Sequence, residues 1–126
     1  MTEPGKGADA WKQVTRTDPV PSPGQVLIAV RAASLNYRDL MQAKGLYPGL
    51  PKREFIPLSD GAGEVVAVGE GVTQFHAGDR VAGNFFQNWV SGPVQTGGFR
   101  GSDLGGTLDG MLAEKVVLNA SGAETT

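Results

Sequence analysis

The chain has 126 residues, 40% of them apolar, which suits a single domain with its own core and excludes a disordered tail. Its 11 basic and 13 acidic residues (net charge −2) are interspersed without a basic block, which argues against a nucleic-acid partner, and no apolar run approaches the roughly 20 residues of a membrane helix. The absence of cysteine excludes disulfides, thiolate metal ligands and a cysteine nucleophile; with no hydrophobic segment after the first lysine, it predicts a cytoplasmic protein.

Nineteen glycines, more than twice the usual share of about 7%, and eight prolines fall between apolar runs, the punctuation of a turn-rich β protein. Residues 1–10 are small and polar and predict a flexible leader. Residues 11–16 predict a short first strand, whereas the prolines at 19, 21 and 23 rule out a continuous hydrogen-bond ladder in the connector that follows. The clearest strand covers residues 25–33, apolar enough to be buried on both faces. Residues 36–45 predict a short helix: Asn36 is a good N-cap, Asp39 lies near the positive end of the dipole, and Gly45 can take the left-handed closing position.

Residues 46–55 hold two prolines and read as loop. Residues 64–69 form a second strong strand pattern, and residues 78–82 open a third after the turn Glu70-Gly71-Val72. Residues 84–110 carry seven glycines and few strand-forming runs, and loops of that length are often functional. Strand character returns over residues 111–118, and residues 120–126 predict a frayed tail. Strands outnumber helices and no βαβ alternation appears. The predicted fold class is therefore mainly β: an open, barrel-like domain with one or two short helices, spanning residues 11–119.

Three stretches in this order carry a family resemblance. Ser34-Leu35-Asn36-Tyr37-Arg38-Asp39-Leu40-Met41 resembles the first active-site segment of the medium-chain dehydrogenase/reductase superfamily. Phe55-Ile56-Pro57-Leu58-Ser59-Asp60-Gly61-Ala62-Gly63-Glu64 resembles its glycine-rich second segment, and Val68-Gly69-Glu70-Gly71-Val72 with Ala77-Gly78-Asp79-Arg80-Val81 its turn-and-strand pair. The set spans residues 25–118 and implies the GroES-like open β-barrel that forms the catalytic domain of these enzymes. Independently of the match, Gly61 and Gly63 suggest close backbone approach, and Gly78-Asp79 suits a tight turn in which Asp79 binds nearby N–H groups.

In the zinc alcohol dehydrogenases of this superfamily, the first segment supplies a cysteine and the second a histidine followed by a glutamate. The resemblance puts Asn36, Ser59 and Asp60 at those positions. An amide and a hydroxyl are poor zinc ligands, so no zinc is expected, and the pattern is similar to the quinone oxidoreductase and enoyl reductase branches. His76, the only histidine, falls outside the matching positions and reads as a turn residue.

The resemblance further implies a cofactor, NADP(H) or NAD(H), bound mainly by a second domain. Asn36, Tyr47, Ser59 and Asp60 are the candidate cofactor-binding residues, and Asn36, Asp39 and Tyr47 the candidate catalytic ones. Each has a plainer reading: N-capping for Asn36, helix-dipole compensation for Asp39, wall packing for Tyr47. Tyr37 and Arg38 are weaker candidates, Arg38 reading either as an exposed helix charge or as a partner for a phosphate or carboxylate. Phe85, Phe86, Trp89 and Phe99 either cover an apolar substrate or fill the small core. Hydride transfer asks a protein mainly for orientation and polarisation, so no acid–base triad is required.

The expected function is the substrate-side domain of a metal-free oxidoreductase acting on a quinone, enone or related carbonyl compound. The expected partners are a Rossmann-type cofactor domain, in cis or in trans, and a small-molecule substrate; no nucleic acid and no membrane are expected, and a homo-oligomer is possible. No G-x-G-x-x-G lies between a strand and a helix, and Gly97-Gly98-Phe99-Arg100-Gly101 lacks the spacing, so the cofactor domain is expected to be absent from this chain. The alternative is a stand-alone GroES-like binding module without redox activity.

Overall fold

A computed structural model describes residues 5–50, 54–93 and 101–126. Five strands form one sheet: β1 (Gln25–Ser34), β2 (Asp60–Val68), β3 (Arg80–Gly83), β4 (Lys115–Asn119) and β5 (Ala123–Thr125). Among the described residues one α-helix, α1 (Tyr37–Ala43), follows β1, and short 3-10 turns cover Gly7–Ala10 and Ala120–Gly122. The strand order is β4-β1-β2-β3-β5, with every neighbouring pair antiparallel.

The sheet curls because its two edges are consecutive in the chain. In a flat sheet, four steps of about 4.8 Å would hold β4 and β5 about 19 Å apart. The three residues between Asn119 and Ala123 reach at most about 14 Å. Register shifts in the β1–β2 pair, after Leu27 and after Val30, supply the local bending. The result is the mainly β, GroES-like half-barrel expected from the sequence.

Alternation along the strands fills the inside of this curl. Val26, Ile28, Val65, Val81, Val116 and Leu118 point inward and meet Phe75, Leu104 and Met111 from the connections. Burying each such side chain contributes about 1.5–3 kcal/mol. The glycines of the second segment permit this packing. A Cβ on Gly63 would stand 2.1 Å from the Ala29 carbonyl oxygen, and one on Gly61 would meet the Met111 side chain at 2.7 Å. Both close approaches are to the chain itself.

Several expectations are corrected. In β1 Val26 and Ile28 are buried, Leu27, Ala29 and Val30 only partly so, and residues 31–34 are exposed, so the strand is not buried on both faces along its length. Residues 11–16 join no ladder; Arg16 and Asp18 tether the segment through Asp109 and Lys115 side chains instead. The later part of the leader is anchored, since Gly5 N–H donates to the Ala43 carbonyl and Ala10 is buried against Ala43 and Phe55. The tail does not fray: β5 uses backbone hydrogen bonds to continue the sheet beyond β3. Residues 1–4 and Phe99 lie outside the described residues. Among the described residues, no helix is long and apolar enough to cross a membrane.

Candidate functional site

The site is built where β1 hands over to α1, opposite the start of β2. Ser34 pairs with Asp60 in the β1–β2 ladder, which brings Asn36 over Asp60. Asn36 is the N-cap residue, extended at φ −121° and ψ 159°, and its side-chain amide donates to Asp60 Oδ2 at 2.6 Å. Both residues are exposed.

Asp39, only 1% exposed, turns its carboxylate onto backbone donors. Its Oδ2 accepts the Asn36 N–H at 2.8 Å and its Oδ1 the Leu58 N–H at 3.3 Å. Leu58 needs that support. Its φ of +73° is the left-handed conformation, which costs a non-glycine residue about 1–2 kcal/mol. Its carbonyl also accepts the Met111 N–H, and Gly105 and Gly110 approach so closely that a Cβ on either would stand within 2.7 or 2.2 Å of the Leu58 backbone. The strained residue sets the direction in which Ser59 and Asp60 leave it. Asp39 therefore fixes the start of α1 and the Leu58–Asp60 segment to each other.

Arg38 is half-buried rather than an exposed helix charge. Its Nη1 donates to Ser59 Oγ at 2.8 Å and to the carbonyls of Leu104 and Gly105, and its Nη2 pairs with Asp103 Oδ2 at 2.5 Å. The guanidinium also lies over the rings of Tyr47 and Phe85, 4.9 and 5.0 Å from their centroids. Burial works to raise the Asp103 pKa. Hydrogen bonds from the Thr107 hydroxyl and backbone, with the Arg38 charge, overcome it and hold the carboxyl below its ordinary value. Gly106 leaves room for the ion pair, since a Cβ there would fall 2.4 Å from both Arg38 Nη2 and Asp103 Oδ2.

Of the candidate residues, the structure brings Asn36 and Asp60 into direct contact and links Ser59 to Tyr47 through Arg38. Ser59 itself is buried. Tyr47, Phe85 and Phe86 border a cleft of about 530 Å³ between α1 and the 101–107 loop, with Arg38 and Gln42 along its base. Phe85 and Phe86 are only partly buried and belong to neither core cluster. His76 is 82% exposed at a turn where Asp79 accepts its backbone N–H at 2.8 Å, as the Gly78-Asp79 pattern implied. Among the described residues, no three His, Asp or Glu side chains converge to hold a metal ion.

The sequence reading missed Asp103 and Gln42. Asp103 lies 65 residues from its partner in a glycine-rich loop without periodicity, and no local pattern announces it. Gln42, fully buried, donates to the Gly105 carbonyl at 2.9 Å, and its place one turn after Arg38 is the one signal that could have joined the two.

Comparison with known proteins adds to this geometry. Residues 22–124 match the family described as the alcohol dehydrogenase GroES-like domain. A zinc-type alcohol dehydrogenase-like protein of Schizosaccharomyces pombe is 48% identical over 99 residues, covering 79% of this chain and 28% of its own length. A chloroplastic quinone oxidoreductase of Triphysaria versicolor is 44% identical over 79 residues, covering 61% of this chain and 24% of its own. A crystal structure of an NAD-dependent alcohol dehydrogenase superimposes with a TM-score of 0.79 at 31% identity, over 99% of this chain and 38% of that one. The chain thus spans well under half the length of these relatives.

Proposed function

The chain belongs to the alcohol dehydrogenase GroES-like domain family of medium-chain oxidoreductases, and on that premise we propose that it is the substrate-side domain of a metal-free, NAD(P)H-dependent enzyme reducing quinones, enones or related carbonyl compounds. The observation that carries the metal-free reading is the donor set at the three positions where zinc relatives have ligands. Asn36 offers an amide already bonded to Asp60, Ser59 offers a hydroxyl that faces the Arg38 guanidinium, and Asp60 alone is a carboxylate. One anionic oxygen beside a fixed cation does not fit zinc, which takes three or four nitrogen, sulfur or carboxylate ligands. No step is therefore routed through a metal.

The family uses NAD(P)H, held mainly by a Rossmann-type partner domain, and the nicotinamide supplies the hydride when bound. On this chain the exposed Asn36–Asp60 pair, flanked by the exposed Leu35 and Tyr37, is the polar point in an apolar surface of the kind a second domain covers. Asn36 and Asp60 orient the nicotinamide end, Tyr47 borders the substrate, and Ser59 holds the Arg38 head in place. Asp39 acts through its neighbours as a positioning residue, because both its oxygens are bound to backbone N–H groups.

A stand-alone binding module is the second reading, and one observation favours it: Leu35, Tyr37, Leu40 and Leu46 are all exposed along α1 and its flanks, an apolar row suited to self-association. The two readings separate experimentally. Joined to a Rossmann cofactor domain, the chain should support oxidation of NAD(P)H by a quinone or enone and carry no stoichiometric zinc. A full equivalent of tightly bound zinc would overturn the metal-free assignment. Failure of every joined form to transfer hydride, with a stable dimer of the chain alone in sedimentation, would favour the module.

A further inference from the structure

We propose that the cleft between residues 11–19 and the outer edge of β4 is a docking slot for one extended strand of another polypeptide, held by main-chain pairing along both of its sides. The cleft measures about 770 Å³ and includes neither Asn36 nor Asp60, so the proposal stands apart from the hydride-transfer reading.

One wall is β4. Val30 N–H donates to the Glu114 carbonyl, and Ile28 and Val26 stand opposite Val116 and Leu118. In an antiparallel pair, the residues between hydrogen-bonded partners turn their N–H and C=O away from the neighbouring strand. Lys115 and Val117 therefore aim both groups at the outer edge, and both residues line the cleft. The next residue in that series, Asn119, has its N–H capped by Gln87 Oε1 at 2.9 Å. The fold thus closes this edge at one end and leaves it bare beside the cleft.

The facing wall is equally bare. Among the described residues, no main-chain N–H or carbonyl of residues 12–18 takes part in a hydrogen bond. Side chains hold this wall in place, Arg16 to Asp109 at 3.3 Å and Asp18 to Lys115 at 2.7 Å. The second contact also weakens the obstacle that an edge lysine ordinarily sets against strand addition, because its charge is matched. Val14 and Leu112, 54% and 48% exposed, add apolar surface beside the buried Phe55.

These features define the occupant. Main-chain groups that recur on one side of a strand about every 6.8 Å are matched along both walls by another extended main chain. The apolar lining suits a strand whose alternate side chains are aliphatic, and lining charges of both signs suit uncharged polar residues between them. A second copy of this chain has no such strand to give. Its β1 to β5 are all committed to the sheet, and residues 12–18 are themselves a wall.

The test titrates the chain with a blocked hexapeptide of alternating threonine and valine, followed by NMR and amide hydrogen exchange. The Lys115 and Val117 amides should shift, and at saturation should exchange at least about tenfold more slowly. The same peptide N-methylated at alternate residues keeps its side chains but loses the donors along one side, and should bind about tenfold more weakly. Val117→Pro removes an outward N–H without touching the β1 ladder, a change that an edge strand tolerates, and should weaken the parent peptide similarly. No binding, equal binding of the two peptides, or shifts that bypass Lys115 and Val117 overturns the proposal. Protection of those amides in the peptide-free protein that grows with protein concentration also overturns it, by assigning the slot to a second copy. Should Val117→Pro not fold, the comparison of the two peptides decides.

Discussion

Replacing Asp39 by alanine tests the claim that one buried carboxylate fixes the start of α1 and the Leu58–Asp60 segment to each other. The substitution removes the acceptor of two backbone N–H groups, at Asn36 and at Leu58. The Leu58 N–H is buried and cannot turn to water, so it bears the cost of an unmade hydrogen bond, about 1–3 kcal/mol. The Asn36 N–H lies at the exposed helix start and recovers part of its bond from solvent. Losing a negative charge in the first turn of α1 adds about 0.3–1 kcal/mol. Together the loss is about 2–4 kcal/mol, a large share of the roughly 5–15 kcal/mol by which domains of this size are stable. Urea denaturation followed by circular dichroism reads it directly. Asp39→Asn keeps one acceptor oxygen and should lose roughly half as much. If Asp39→Ala costs less than about 0.5 kcal/mol, the size of an ordinary surface change, the carboxylate does not brace Leu58 and the positioning role fails.

Gly63→Ala should destabilise by about 3 kcal/mol or leave the protein unfolded, since its methyl would press on the Ala29 carbonyl in a ladder that cannot yield; normal thermal melting would refute the close approach. Gln87→Ala should cost about 3 kcal/mol by chemical denaturation. That side chain is buried and bonded to the Asn84 and Gly122 carbonyls and the Asn119 N–H, tying the 84–88 segment to the turn between β4 and β5. The Asp103 carboxyl has a lowered pKa, so the stability it contributes is full above the ordinary aspartate value of about 4 and is lost as pH falls through the depressed folded value. Denaturation midpoints should therefore drop on acidification below about pH 4, and the drop should be smaller in Asp103→Asn; an identical profile in both proteins would contradict it.

Elements that carry their own pattern were legible. The apolar run of β1, the Asn36-to-Gly45 helix signals and the β2 run each announced themselves, and Gly45 does adopt φ +72°. What failed depended on partners. Residues 11–16 have the composition of a strand, but a strand exists only where another lies alongside, and no ladder reaches them. The three residues of β5, Ala-Glu-Thr, carry no apolar alternation; Ala123 alone packs against the core and the strand is placed by its backbone ladder, so little in its side chains marks it. In the site, Asn36 and Asp60 were legible singly, each from its own motif, but not the hydrogen bond between them. The Arg38–Asp103 pair was not legible at all, because an ion pair between a helix and a distant loop leaves no trace in local spacing.

The joining of the sheet's two borders by Ala120–Gly122 has a consequence for how the protein is made. Synthesis runs from the amino end, and both outer members of the sheet, β4 against β1 and β5 against β3, follow the three inner strands along the chain. On the ribosome, a nascent chain can pair β1 with β2 and β2 with β3 while Val26, Ile28 and Val81 still await the Val116 and Leu118 side chains that cover them. Until residues 115–125 clear the exit tunnel the half-made sheet offers two bare margins, and a holdase chaperone has the most to shield in that interval.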